Sequence, residues 1–133
     1  MIITASNIRG LNSKWKQWYL KERLRKDKAN IMIIQETKIH EAKLKGIVQS
    51  FKLPYEVIAL DSRGSVGGLT ILWNPTEVFF VDWVSSPRML TGRFRHIGSN
   101  DWVLLTRVYG PHTPGEKEAF PHNLASMRRE FQE

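Results

Sequence analysis

Three polar side chains that could act on a phosphodiester stand where predicted strands end. Asn7 closes a short apolar segment, Glu36 follows the isoleucine-rich run that starts at Ile31, and Tyr109 ends a later strand-like segment. Phosphodiester cleavage needs a hard cation such as Mg²⁺ on oxygen ligands, and neutral donors that orient the phosphate; a carboxylate, an amide and a phenol supply these parts. From position alone, a solvated carboxylate at Glu36 and a turn-forming Asn7 are the favoured interpretations.

The first half of the chain alternates predicted strands and helices. The segment 31–38 begins with four consecutive apolar residues, which predict a strand buried on both faces, and ends in polar residues. In open α/β sheets ligands collect outside the carboxyl ends of such strands. Further strands are predicted at 1–8 and 55–60. Between the strands we expect a helix at about 14–26, capped by Asn12 or Ser13, and a helix over 44–51, ended by Pro54. The β-α-β-α-β order predicts parallel strands joined by right-handed crossovers.

The second half has a different character, with strand-like runs at 69–73, 78–84, 89–96 and 102–109. The connections between these runs are short enough for antiparallel hairpins. A mixed sheet, or a pair of packed sheets, is therefore expected. After a proline-rich start, the last segment, 110–133, is predicted to become helical.

The charge of the chain favours an anionic partner. Lys and Arg number 20 against 13 Asp and Glu, giving a net charge of +7, which points to nucleic acid above all. A basic protein with a solvated surface is the alternative, and charge does not separate the two. The absence of cysteine excludes disulfides and thiolate metal sites. With no secretory signal or membrane-spanning segment recognisable, we expect an intracellular protein, nuclear or cytoplasmic, that does not bind a membrane.

Four short motifs occur in order along the chain. They are SNIRGLN at 6–12, IIQETK at 33–38, GGLTILWNP at 67–75 and VYGPH at 108–112. In this order and spacing, across essentially the whole chain, they resemble the endonuclease domain of plant LINE-type (non-LTR) retrotransposons. That domain belongs to the exonuclease-endonuclease-phosphatase superfamily, which also holds apurinic endonucleases.

The resemblance implies an α/β fold, a four-layered α/β sandwich with mixed sheets flanked by helices, and metal-dependent nicking of DNA. It implies that Glu36 is a ligand of Mg²⁺, with Mn²⁺ as an alternative, and that Asn7 helps to hold the metal and the scissile phosphate. Tyr109 would donate to a phosphate oxygen, and His112 would lie near the DNA backbone, although an exposed loop histidine is an equal alternative for His112. The implied partners are DNA, the remainder of the endonuclease domain and a reverse transcriptase.

Two departures from the family pattern limit the expected activity. Ser6 stands where the family has tryptophan, which removes packing beneath the site. The family also continues into Gly-Asp-Phe-Asn-type and Ser-Asp-His-type motifs, and the sequence stops at Glu133, before either. We therefore expect 1–133 to be the N-terminal, truncated part of one endonuclease domain and to be inactive alone, because each missing acid/base group contributes a factor of about 10² to 10⁴. A non-catalytic nucleic-acid-binding remnant is the alternative, and a small phosphorylated substrate is a weaker third.

Other basic residues could contact a nucleic acid. Arg9 and Lys38, next to the candidate site residues, are the favoured contacts to the DNA backbone. A dense basic run with two interleaved tryptophans also lies on and after the first predicted helix, where phosphate contact or base stacking is conceivable and a solvated helix face is favoured. Its members are Lys14, Lys16, Lys21, Arg23, Arg25, Lys26 and Lys28.

Overall fold

The computed structural model describes residues 1–35, 37–60, 69–86 and 89–108. Within these residues the chain forms two helices, α1 (Lys14–Asp27) and α2 (Glu41–Ser50). It also forms seven strands: β1 (Ile3–Asn7), β2 (Ile31–Gln35), β3 (Glu56–Leu60), β4 (Leu69–Trp73), β5 (Val78–Ser85), β6 (Met89–His96) and β7 (Trp102–Val108). The predicted α/β class is confirmed, and most predicted elements agree with these bounds to within three residues.

The first sheet is mixed, with strand order β1-β2-β4-β3. β1 and β2 are parallel, as the β-α-β pattern predicts, but β4 lies between β2 and β3 and is antiparallel to both. β3 therefore runs in the same direction as β1 and β2, as the β-α-β-α-β order predicts, but it is separated from β2 by β4. The reason is burial: four consecutive residues of β4 are buried, whereas β3 begins at an exposed residue, so β4 takes the central position and β3 the edge.

Both helices cover the outer face of the first sheet. Leu20 and Leu24 of α1, which the sequence places on one face, are fully buried against it, together with Leu44 and Val48 of α2. α1 is capped by Ser13, whose hydroxyl accepts from the backbone N of Lys16 at 3.1 Å. Neither helix in the described part of the chain is long and apolar enough to cross a bilayer.

The second sheet is antiparallel, with strand order β5-β6-β7. Its two hairpins confirm the expectation for the last two connections. The predicted hairpin between β4 and β5 is wrong, because these strands lie in different sheets. Residues 74–77 instead form a tight turn in which the Asn74 side chain accepts from the backbone N of Thr76 at 3.0 Å, while the backbone N of Asn74 donates to the carbonyl of Asn30 at 3.0 Å. The turn is thereby fixed to the first sheet and carries the chain across to the second.

The two sheets pack face to face, which gives three layers within the described residues: helices, first sheet, second sheet. The core between the sheets includes the fully buried Phe94, whose ring centroid is 5.8 Å from Trp73 and 5.2 Å from Phe80. Gly92 permits the close approach of the sheets, because a Cβ at this position would lie 3.1 Å from Cδ1 of Ile71.

The first sheet has two distinct ends. Asn7 pairs with Gln35 and Leu60 with Leu69, so the carboxyl ends of β1, β2 and β3 and the start of β4 share one end. We call this the carboxyl end. The opposite end contains Trp73 and the 74–77 turn, and we call it the turn end.

The second sheet is aligned with the first along the same direction. Trp73 contacts Phe94, Ile71 contacts Gly92, and Val78 begins β5 directly after the turn. β6 therefore runs from the carboxyl end toward the turn end. Since Met89 pairs with Val108, β7 finishes at the carboxyl end.

Candidate functional site

The carboxyl ends of β1 and β2 bring two exposed carboxamides together. Asn7 and Gln35 are direct partners in the parallel register, and both side chains are exposed. The register continues one residue further, because the backbone N of Ile8 donates to the carbonyl of Gln35 at 3.2 Å. Ile8 is buried among the core residues beneath the helices, so the position of Asn7 is fixed from both sides.

The loop after β1 is pressed against the loop after β2. The backbone N of Leu11 donates to the carbonyl of Thr37 at 2.9 Å, and Leu11 is fully buried. Gly10 has φ +97°, a conformation in which glycine is strongly preferred, and a Cβ there would lie 3.9 Å from Cδ of Lys38. The chain can therefore turn sharply out of β1 while remaining next to β2.

Two exposed cations flank the carboxamides. Arg9 and Lys38 both have left-handed backbones, with φ of +53° and +55°, a conformation that costs an L-residue of this kind about 1 kcal/mol or more. Lys16 adds a third cation, and its Nζ donates to the carbonyl of Arg9 at 2.7 Å. The connections 8–12 and 36–40 contain one acidic residue, Glu36, against the two cations Arg9 and Lys38. This edge is therefore a cationic surface suited to an anion such as a phosphodiester.

Sequence reasoning missed one further cation at this edge. Lys43, in the first turn of α2, donates from Nζ to Oδ1 of Asn12 at 2.8 Å and so links the two loops. Its separation of 31 residues from Asn12 hides the contact in the sequence. The hydrophobic spacing of α2 places Lys43 beside the buried face and not on it, which predicts an exposed side chain but not its contact with Asn12.

The structure places Asn7, Arg9 and Lys38 at the neighbouring carboxyl ends of β1 and β2. Glu36, Tyr109 and His112 lie outside the described residues, and their roles stay predictions. β7, the strand that leads to position 109, ends at the carboxyl end beside Met89.

The donors at this edge suit a hard cation. Asn7 and Gln35 offer carboxamide oxygens, which Mg²⁺ and Mn²⁺ accept, and the chain has no thiol to select a softer metal. Within residues 1–35, 37–60, 69–86 and 89–108, no three His, Asp or Glu side chains group around a common point. The charged ligand for such a cation would be Glu36, with Asn7 as its neutral companion.

Comparison with known proteins shows the fold. No family model matches the sequence, and no curated protein does. Among solved structures, an endonuclease/exonuclease/phosphatase family protein from Bacteroides thetaiotaomicron aligns over 96% of this chain and 57% of its own, with TM-score 0.65 and 13% identity. The human Nocturnin catalytic domain with bound sulfate aligns over 94% of this chain and 56% of its own, with TM-score 0.66 and 10% identity. D. rerio TDP2 complexed with a single-strand DNA product aligns over 96% and 54%, with TM-score 0.62 and 13% identity.

These likenesses show that the chain has the endonuclease/exonuclease/phosphatase fold over the part that it spans, as the sequence predicts. The chain spans slightly more than half the length of these structures.

Proposed function

We propose that residues 1–133 are the N-terminal part of a Mg²⁺-dependent DNA endonuclease domain of the LINE type, which hydrolyses a phosphodiester to nick its target. One observation carries this proposal: the parallel pairing of β1 and β2 sets Asn7 beside Gln35 and surrounds them with the exposed cations Arg9 and Lys38. Such a cluster at the carboxyl ends of strands is where an α/β sheet binds its ligand. The solved TDP2 structure with a single-strand DNA product, in the same fold, supports nucleic acid as the substrate class.

Each residue has a proposed part. Glu36 and Asn7 would hold the cation, which when bound polarises a phosphoryl oxygen and lowers the pKa of a bound water. Arg9 and Lys38 would bind phosphates on either side of the scissile bond, because both are exposed at the edge. Tyr109 would donate its hydroxyl to a phosphate oxygen, and His112 would contact the DNA backbone. These last two roles rest on the VYGPH motif.

Catalysis by these residues alone is not expected. In the family that the sequence resembles, catalysis also uses aspartates, an asparagine and a general-base histidine of two later motifs, which residues 1–133 do not contain. Positioning without them leaves little rate, since an acid/base group typically contributes a factor of about 10² to 10⁴. In a plasmid-nicking assay with Mg²⁺ we expect no activity above that of the Glu36→Ala variant. Clear nicking that the substitution abolishes would contradict the predicted inactivity and establish the nuclease directly.

DNA binding at the carboxyl end is testable with a matched control. Arg9 and Lys38 have counterparts at the turn end, Lys28 and Lys52, which are also exposed and have left-handed φ of +48° and +55°. A double alanine variant at Arg9 and Lys38 should weaken binding of a short duplex and lower the salt slope by about 2, because two phosphate contacts are lost. The double alanine variant at Lys28 and Lys52 removes the same charge from the same backbone conformation and should change both quantities much less.

Equal losses in the two double variants would contradict a phosphate site at the carboxyl end and leave only diffuse attraction by the net charge.

A second candidate function is non-catalytic binding of nucleic acid. It is favoured by the cationic edge and by the absence of an acidic cluster within the described residues. The effect of Mg²⁺ on DNA affinity distinguishes the two candidate functions. A nuclease site should bind DNA more tightly when Mg²⁺ is added, whereas a purely basic surface should bind it more weakly because the divalent cation competes.

A further inference from the structure

Helix α1 presents an aromatic face that nothing in the described fold covers. Trp15, Trp18 and Tyr19 are 66%, 59% and 38% exposed, while Leu20 and Leu24 on the opposite face are buried against the first sheet. Aromatic side chains of this size usually bury 150–250 Å² each, so leaving three exposed on one helix forgoes a large hydrophobic gain. The alternative of a helix covered on two sides, which the sequence permits, is excluded for the described residues.

Two of the rings are already arranged for stacking. Trp15 and Tyr19, four residues apart, lie with centroids 5.8 Å apart and planes 4° from parallel. Cζ of Arg23, four residues further, is 6.0 Å from the centroid of the Tyr19 ring, and its Nε donates to Asp27 at 3.0 Å. The result is a column of two rings and a guanidinium along one row of the helix.

The aromatic column lies within the most basic segment of the chain. Residues 14–28 contain seven basic and two acidic residues, a net charge of +5 out of the +7 of the whole chain. Both acids are engaged by arginines of the same helix, Asp27 by Arg23 at 3.0 Å and Glu22 by Arg25 at 3.4 Å. The lysines of α1 therefore add positive charge to the helix that carries the rings.

The helix begins next to the candidate site. Its first turn is fixed to the loop after β1, because Nζ of Lys16 donates to the carbonyl of Arg9 at 2.7 Å and Nε2 of Gln17 donates to the carbonyl of Leu11 at 2.9 Å. Trp15 and Trp18 lie in the two turns closest to that loop. A strand of nucleic acid leaving the carboxyl end can therefore continue along α1.

We propose that the exposed face of α1 binds single-stranded nucleic acid, with bases stacking on Trp15 and Trp18 and phosphates bound by the lysines within α1 itself. The proposal rests on the nucleic-acid substrate class given above and adds a second, non-catalytic surface. A single strand fits better than a duplex, because its bases can stack on protein rings, whereas paired bases are already stacked on each other. A helix that binds a protein groove or a bilayer usually combines aromatic with aliphatic residues on its binding face, and the leucines of α1 face the sheet instead.

Fluorescence anisotropy tests this surface, with labelled oligothymidine, oligouridine and a duplex of the same length, all of about 20 nucleotides, in EDTA so that no metal site contributes. The variant Trp15→Ala/Trp18→Ala should bind the single strands about tenfold more weakly or worse. The variant Trp15→Phe/Trp18→Phe keeps flat rings and should retain most of the affinity. The DNA and RNA arms show which sugar the surface accepts.

Phe79→Ala is the matched control, since Phe79 is 61% exposed on the second sheet, away from α1. Circular dichroism and thermal unfolding establish that each variant is folded. The proposal is overturned if the double alanine variant loses less than about twofold in affinity for the single strands, or if Phe79→Ala loses as much affinity as that variant. It is also overturned if the duplex binds as tightly as the single strands and is weakened as much by the tryptophan substitutions. If the tryptophan substitutions weaken binding to phosphatidylserine vesicles but not to oligonucleotides, α1 is a membrane-binding surface and the proposal is overturned.

Failure of the proposal for α1 can be distinguished from failure of the proposed function. The duplex test uses Arg9 and Lys38, and this test uses Trp15 and Trp18. If single strands still depend on the tryptophans while duplex binding ignores the carboxyl end, the proposed function fails and the α1 surface stands. The reverse result removes only the α1 surface.

Discussion

The two ends of the packed sheets differ in the kinds of side chain that form them. At the turn end, the rings of Trp73, Phe80 and Phe94 pack together, and a main-chain hydrogen bond joins Asn74 to Asn30. At the carboxyl end, the exposed carboxamides of Asn7 and Gln35 end their strands, and the cations Arg9 and Lys38 lie in the loops that follow. Left-handed cations occur at both ends, at Arg9 and Lys38 and at Lys28 and Lys52, so the contrast lies in the other groups: packed rings stabilise the turn end, whereas the carboxyl end presents exposed carboxamides to a ligand.

The largest expected effect is at the rings. Phe94→Ala leaves a cavity between the sheets and should lower the free energy of unfolding by about 3–5 kcal/mol, measured by urea denaturation. Arg9→Ala, at the carboxyl end, should change it by no more than about 0.5 kcal/mol, because the side chain is exposed. A loss at Arg9 comparable to that at Phe94 would show that the two ends do not divide their roles.

Removal of one hydroxyl group, that of Tyr55, tests how the turn end contributes to stability. Its hydroxyl donates to the carbonyl of Ala29 at 2.6 Å and joins the segment before β3 to the segment before β2. Tyr55→Phe should lower the free energy of unfolding by about 1 kcal/mol, since the carbonyl loses its partner.

The pH dependence of that difference has a definite sign. Burial, and secondarily the charge of Asp27, raises the pKa of Tyr55, so the folded state favours the neutral phenol. The stabilisation is therefore fully present below the ordinary tyrosine pKa of about 10 and is lost as pH rises through the higher folded value. Urea titrations should show the gap between wild type and Tyr55→Phe narrowing above about pH 10; a gap that widens would contradict this account.

Glycine substitutions compare conformational cost at the two ends. Lys38 and Lys52 both have φ +55°, so Lys38→Gly and Lys52→Gly should each raise the free energy of unfolding, by up to about 1 kcal/mol. Only Lys38→Gly should also weaken duplex binding. If both variants leave binding unchanged, the cation at the carboxyl end has no functional role, and its conformation is a feature of the loop alone.

The smallest expected effect lies between the ends, on the outer face of the second sheet. The hydrogen bonds from Arg93 hold the pKa of Asp82 below its usual value. The pair therefore stabilises the fold above the ordinary aspartate pKa of about 4 and ceases to do so as pH falls through the lower folded value. Because the Asp82 side chain is 44% exposed, Asp82→Asn should cost only about 0.5 kcal/mol at pH 7. Thermal unfolding at pH 7 and at acid pH measures this, and a cost that persists at acid pH would assign it to packing.

Patterns within single elements were predictable from the sequence, but neighbour relations were not. The spacing of Leu44 and Val48 predicts α2, and the isoleucine run predicts β2, because the apolar residues that a helix or strand buries form a pattern within its own segment. The insertion of β4 between β2 and β3 depends on which strand buries both faces, a property of the assembled sheets. The crossing at Asn74 depends on a hydrogen bond to Asn30, 44 positions earlier in the sequence.

The part of the candidate site that lies at the ends of β1 and β2 was predictable from the sequence. Asn7, Arg9 and Lys38 are adjacent because β1 and β2 are parallel neighbours, which the β-α-β pattern predicts. Lys43 was not predictable, since its contact with Asn12 depends on where α2 rests on the sheet. The exposure of Trp15 and Trp18 was left open by the sequence, because three aromatic residues on one helix fit a buried face and a binding face equally well.

The central claim, a cation site at the carboxyl ends of β1 and β2, is tested most directly by adding small amounts of Mn²⁺ to isotopically labelled protein and recording amide spectra. The account predicts that the amide signals of Asn7, Ile8 and Thr37 broaden first, that excess Mg²⁺ restores them, and that Glu36→Ala abolishes the effect. Broadening that begins at the turn end, or that is uniform along the chain, would contradict it.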